Sequence, residues 1–500
     1  MFDALFTTTT EYKKLSHALS GKGACALFGL PASGRAQVYA ALCRQLDKPL
    51  CIVTPGEAEA TRFAADLNTL GIPAAVFPAR DYVLRPIEGT AREYEYRRLA
   101  VLGELVGGRL RAVAVPAEAL TQFTTPKEDF CANTRTLHTG DTLLRDDLLA
   151  ALFGAGYTRR AQVDGPGQFS VRGDIVDIFA PDQKMPVRME FWGDEIDTLH
   201  TFDLTTQRRE DAIDKFYLSP AREVLFGKPA DAAEQLRAFL AKQRGKKKTA
   251  MADCMAADLD LLDGGAVPVN MDKYLAVRYP HPATVLDYFD DPILVAEEPA
   301  SIREADRATV YRRGEELKSL ILDGVLCAGL DNLYADPRYL WSKTGHYRTI
   351  CAENFARSMP DQPLKDIINA PAHTLPAWNG EVAGLLEDLK PLCDAGYTVT
   401  LLAGTDRAAA GLARDLRDKG ILVTTDAAAA PAAGLVQVLA GHLSAGCEFP
   451  FAKYALLTGR AFGETSSQKK KRKKAKDALN SLTEITPGDL VVHQNHGIGR

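Results

Sequence analysis

The stretch GYTRRAQVDGPGQFSVRGDIVDIFAPDQKMPVRMEFWGDEIDTLHTFDLTTQRR, residues Gly156–Arg209, organises the rest of the chain. Phe169 and Val171 alternate with Gln168, Ser170 and Arg172, a period of two that predicts a strand with one apolar and one wet face. Gly173-Asp174 offers a bend, and Ile175 to Phe179 returns as an apolar run. Val187, Met189 and Phe191 alternate again with Arg188 and Glu190, up to a second Gly-Asp turn at Gly193-Asp194. The pattern predicts a small twisted antiparallel sheet whose solvated side carries Arg159, Arg160 and Arg172, a module suited to grasping another protein.

The bulk numbers bound the answer. Five hundred residues suggest roughly three or four domains. With 46% hydrophobic and 25% charged residues the composition is that of an ordinary globular chain. A net charge of -5 exerts no global pull on nucleic acid, so any DNA contact must come from a local patch. The nine cysteines are odd in number and scattered without a C-x-x-C pair, which argues against zinc and against a disulfide framework. No signal peptide opens the chain and no run of eighteen apolar residues occurs, so a cytoplasmic protein without membrane contact is expected.

A second motif lies upstream. The apolar strand Ala24 to Phe28 runs into Gly29-Leu30-Pro31-Ala32-Ser33-Gly34-Arg35-Ala36, and a helix with Val38, Ala41, Leu42 and Leu46 at helical spacing follows. This is the frame of a phosphate-binding loop, G-x-x-x-x-G-K-[ST], met at Gly29 and Gly34 and broken where the chemistry sits. Arg35 replaces the lysine that reaches the β- and γ-phosphates, and Ala36 replaces the hydroxyl that ligates magnesium. Ser33 lies inside the loop, and backbone amides at the helix start retain some attraction for an anion. Ile293 to Ala296 followed by Glu297-Glu298 has the form of the partnering acidic strand, with Glu-Glu where Asp-Glu is usual; a buried strand ending in two solvated acids fits nearly as well.

The order GYTR, Gly167–Phe179, Arg188–Asp197 and FDLTTQR resembles the second domain of the nucleotide-excision-repair protein UvrB and the matching domain of the bacterial transcription-repair coupling factors. In that family the domain binds the damage sensor UvrA. The resemblance implies that Arg159 and Arg172 touch UvrA, whereas a third arginine of UvrB is Ser170 here. Paired N–H donors of arginine suit carboxylates, and Phe169 offers an aromatic anchor, although its alternation with Val171 fits a core residue equally. UvrB carries a long DNA-inserting hairpin in its first domain; here only ten residues separate Tyr82 from Glu93, too few for it. With the broken phosphate loop, that favours a coupling factor over the alternative, a UvrB-like ATP-dependent damage-loading subunit.

The expected architecture is multidomain α/β. Residues 1–125 and 223–348 form the two halves of one helicase-like, degenerate RecA-type domain, split by the mainly antiparallel β insertion 126–222. A small α/β domain at 349–460, a basic linker at 461–483 (SSQKKKRKKAK within it) and the opening strand of an RNA-polymerase-interacting β domain at 484–500 complete it. The run Gln243 to Lys248 is expected as a solvated basic loop. His493 and His496 lack further ligands for zinc. Ending inside a motif at Arg500, the chain is expected to be a piece of a longer protein whose motor domains carry ATP, magnesium and double-stranded DNA. No cofactor, metal or catalytic residue is expected within these residues; UvrA and RNA polymerase are the implied partners.

Overall fold

A computed structural model describes residues 3–87, 92–355, 363–378, 382–459, 491–493 and 497–499. Its centre is a seven-stranded sheet, in spatial order Leu364–Asn369, Gly23–Phe28, Arg348–Glu353, Ile293–Glu297, Leu50–Thr54, Ala112–Pro116 and Ala74–Val76. Every pairing in it is parallel. Such strands are covered on both faces, which is why their sequences are unbroken apolar runs. Leu27, Ile52 and Val295 face one core, Ala26, Val53 and Leu294 the other.

The insertion is a six-stranded sheet in order Arg209–Ala212, Glu195–Phe202, Val187–Trp192, Ile175–Phe179, Gln168–Arg172 and Thr158–Arg159. Its pairings are antiparallel except the last. One face packs Phe169, Val176, Met189 and Leu199 against Leu148 and Leu152 of the helix Arg145–Gly154. The apolar-polar alternation thus builds a half-buried sheet, as its period requires. The last unit is a mixed sheet in which Thr398–Leu402, Val436–Leu439 and Tyr454–Thr458 run parallel. The Thr405 hydroxyl caps the helix Asp406–Asp418 by accepting from the Ala408 amide.

Two expectations change. The strand Arg348–Glu353 does not open the last unit; it lies between Gly23–Phe28 and Ile293–Glu297, and Leu364–Asn369 also joins that first sheet. The first unit therefore runs past the boundary expected at 348/349. Lys246, Lys247 and Lys248 are not a loop but the first turn of the helix Gly245–Asp263. Lysine has good helix propensity, and burial of Met251, Met255 and Leu262 on one side outweighs the crowding of like charge. The linker at 461–483 and most of 484–500 lie outside the described residues; Val491–His493 and Gly497–Gly499 pair antiparallel.

A buried ionic network fastens the insertion to its base. Arg98, fully buried, donates from Nε to Glu223 Oε1 at 2.6 Å, and Arg80 Nη1 meets Asp272 at 2.6 Å and its Nε meets Glu223 at 3.1 Å. Glu95 accepts from the Glu223 amide at 3.0 Å and pairs with Arg92 at 2.8 Å. Residues before the insertion, at its end and after it thus share one set of charges. Burial pushes the Glu95 carboxyl up, but the charges of Arg80, Arg92 and Arg222 and the Glu223 amide outweigh it and hold the group at about 2. A depressed carboxylate contributes stability that is present above its unfolded value and lost as pH falls through the folded one. Stability should therefore fall between about pH 4.5 and pH 2, by about 3 kcal/mol from this group. Urea titrations of Glu95→Gln across this range should show a flatter acid slope than the parent; an unchanged slope would contradict the assignment.

Candidate functional site

The broken phosphate loop and the acidic strand do come together. Parallel pairing sets Ile293–Glu297 one strand away from Gly23–Phe28, with Arg348–Glu353 between them, so Glu297 and Glu298 stand beside the helix Ala32–Leu46 that follows the loop. Arg35, only 3% exposed, spans the gap. Its Nη2 lies 3.0 Å from Glu297 Oε2 and its Nη1 2.9 Å from Glu298 Oε1. The Tyr39 hydroxyl donates to Glu297 Oε1 at 2.6 Å, and the Asn354 amide donates to Glu298 at 3.2 Å. Burial opposes the charge on Arg35, but Glu297 and its neighbours overcome this and hold the guanidinium charged. Burial likewise raises Glu297 against the pull of Arg35.

The rest of the loop is packed from outside. Gly29 has a φ of 86°, and a Cβ there would come within 3.0 Å of Asn369 and 3.1 Å of Pro371. A Cβ on Gly34 would sit 2.8 Å from Cys447 Sγ and 3.4 Å from the Phe449 ring, both from the strand Gly446–Phe449 of the last unit. Ala36 is wholly buried and Ser33 nearly so. These residues do not fit a magnesium nucleotide. The cation that should face phosphate is bound to two carboxylates, no hydroxyl stands at position 36, and apolar side chains cover the helix start. Among the described residues no cluster of His, Cys, Asp or Glu suits a metal ion.

The second site is the solvated face of the insertion sheet. Asp177, almost fully buried, accepts from Arg172 Nη2 at 2.7 Å and from Arg188 Nε and Nη2 at 2.7 and 2.9 Å. Its hydrogen bond is the main reason the Arg188 guanidinium titrates above its ordinary value. One strand further, Glu190 is held by Arg209 and by the Thr198 hydroxyl. Arg172 and Arg209 remain 48% and 45% exposed and keep N–H groups free to point outward. Trp192, of the same parity as Arg188 and Glu190, is 81% exposed at the hairpin end.

The expected docking residues do not all meet. Phe169 is no surface anchor: it is wholly buried, edge-to-face with Phe153, because its strand parity points it at the helix. Arg159 is exposed, but its register with Phe169 puts it on the helix-facing side at the sheet edge, whereas Arg172 has the opposite parity. Sequence reading put Arg188 on the polar side of its strand without naming it a docking residue, and missed Arg209 and Trp192 on the same face. Their parity with Arg172 across the alternating strands was the available signal.

Residues 136–224, which include all six strands of the insertion sheet, match the family described as the UvrB interaction domain. Over 95% of its length the chain is 27% identical to the transcription-repair-coupling factor of Bacillus subtilis, and over 94% it is 25% identical to that of Staphylococcus haemolyticus. The chain is a homologue of the transcription-repair-coupling factors. It spans 41% of the length of these relatives. Within this coupling-factor homologue the two sites differ in kind: one is sealed inside the parallel domain, the other is presented to solvent.

The sealed pair has a measurable energetic signature. Arg35→Ala leaves Glu297 buried without its cation and should lower stability by about 3–5 kcal/mol. The double variant Arg35→Met/Glu297→Leu should recover most of that loss, because neither charge is then stranded. Urea midpoints of the two variants check this; an Arg35→Ala protein as stable as the parent would show the pair to be incidental.

Proposed function

We propose that this chain is the portion of a transcription-repair coupling factor that docks UvrA, bringing nucleotide excision repair to RNA polymerase stalled at DNA damage, and that it works without nucleotide chemistry of its own. The carrying observation is the solvated face of the insertion, where Arg172 and Arg209 stand half-exposed on a sheet stiffened by the buried Asp177. Support for the partner comes from the match of that same segment to the UvrB interaction domain, and for the process from the names of the relatives. Arginine forks on a rigid sheet recognise carboxylates with little entropy left to lose. Arg159, at the sheet edge, contributes at the rim of the interface. RNA polymerase would be met through residues 484–500 and what adjoins them in the longer relatives, and ATP, magnesium and double-stranded DNA through motor domains there. The setting is the cytoplasm.

Arg172→Ala should weaken UvrA binding by about 2 kcal/mol without unfolding the sheet, since Arg188 still neutralises Asp177. Arg159→Ala, at the rim, should cost less than about 1 kcal/mol. Titration of each variant with purified UvrA measures both; unchanged affinity for Arg172→Ala would remove this face as the docking site.

A further inference from the structure

Trp192 is the most exposed large apolar side chain among the described residues, at 81%. It ends the strand Val187–Trp192, and Gly193-Asp194 turns the chain back so that Glu195 pairs with it across the hairpin. The neighbouring hairpin, with Gly173-Asp174 at its turn, lies at the same end of the sheet: the Phe191 amide donates to the Asp174 carbonyl at 2.9 Å. Arg145 braces that turn through the Gly173 carbonyl at 2.9 Å and through Asp174 at 3.6 Å. Trp192 therefore projects from two hairpins tied to each other and to a helix, rather than from a loose tip. Leaving an indole in water costs the free energy that its burial would return, and none of the described residues covers it.

Its surroundings say what should. Alternation gives Trp192 the same side of the sheet as Arg188 and Glu190, and the pairings Ile175↔Glu190 and Arg172↔Ile175 place Arg172 two strands away on that side. Arg209 reaches the same face through Glu190. An exposed tryptophan sharing one sheet face with half-exposed arginines has the composition of an interface hot spot, in which the indole enters a pocket and the guanidiniums meet carboxylates at its edge.

We propose that Trp192 is the central anchor of the docking face and inserts into an apolar pocket of UvrA whose rim carries carboxylates for Arg172 and Arg209. The inference rests on the docking reading given above. The indole supplies the desolvated centre, and the arginines fix its orientation. This ordering makes Trp192, and not Phe169, the aromatic member of the site.

The chain has three tryptophans, and Trp341 and Trp378 are partly buried, so the most solvated indole emission belongs to Trp192. The test titrates UvrA into the parent chain, Trp192→Ala and Trp192→Phe, following affinity by sedimentation and indole emission by fluorescence, with circular dichroism to confirm that each variant is folded. Expected are a shift of emission to shorter wavelength on complex formation, its loss in Trp192→Phe, and an affinity lowered about thirtyfold in Trp192→Ala. A complex that forms with no emission shift, or equally well with folded Trp192→Ala, overturns the anchor and leaves the docking reading standing. Failure of the parent chain to bind UvrA overturns both.

Discussion

One guanidinium holds the loop and the acidic strand of the parallel domain together. Arg35 occupies the position from which a lysine would reach phosphate, and it is spent on Glu297 and Glu298, the acids at the end of the strand that would otherwise manage a metal. In a working nucleotide site the loop and the acidic strand face each other across the ligand, and each conformational state depends on what lies between them. Here the positive and negative sides have closed on one another. A buried pair of this kind confers little net stability, because desolvation offsets most of the attraction. It does make separation of its halves costly, so the loop and the acidic strand are held in one arrangement.

Rigidity follows outward from there. The last unit does not stand apart: Cys447, Phe449 and Tyr454 share a core with Leu27, Tyr39 and the first helices, and Ser444 donates to Asp66 through both its amide, at 2.8 Å, and its hydroxyl, at 2.6 Å. On the opposite flank the insertion is anchored by Arg98 on Glu223 and by Arg80 on Asp272. The product is a stiff platform that presents one solvated sheet face. For a docking module this is useful, since a preorganised face loses little freedom on binding. The same fastening is unhelpful for a motor, which needs two lobes that open and close.

Much of this was legible in the residues. Apolar runs named the parallel strands, period-two alternation named the insertion, and the substitutions at Arg35 and Ala36 marked the loop as altered. That Arg35 and Glu297 bind each other was not legible. They are far apart in sequence, and only the strand order, with Arg348–Glu353 inserted between theirs, brings them within reach. The same strand order defeated the boundary at 348/349, since a pattern that restarts in sequence need not restart in space. Phe169 could not be assigned from alternation alone, because parity separates two faces without saying which one a helix will cover. Arg159 and Arg172 stand thirteen positions apart on strands that pair in parallel, and the register, invisible in the sequence, put them on opposite sides.

The most direct measurement is a calorimetric titration of this chain with magnesium ATP, followed by a crystal soaked in the same nucleotide. With Arg35 engaged by two carboxylates and the helix start covered by Cys447 and Phe449, no heat of binding and no bound nucleotide are predicted. An ordered triphosphate and metal beside Gly34, with Arg35 swung away from Glu297, would contradict it.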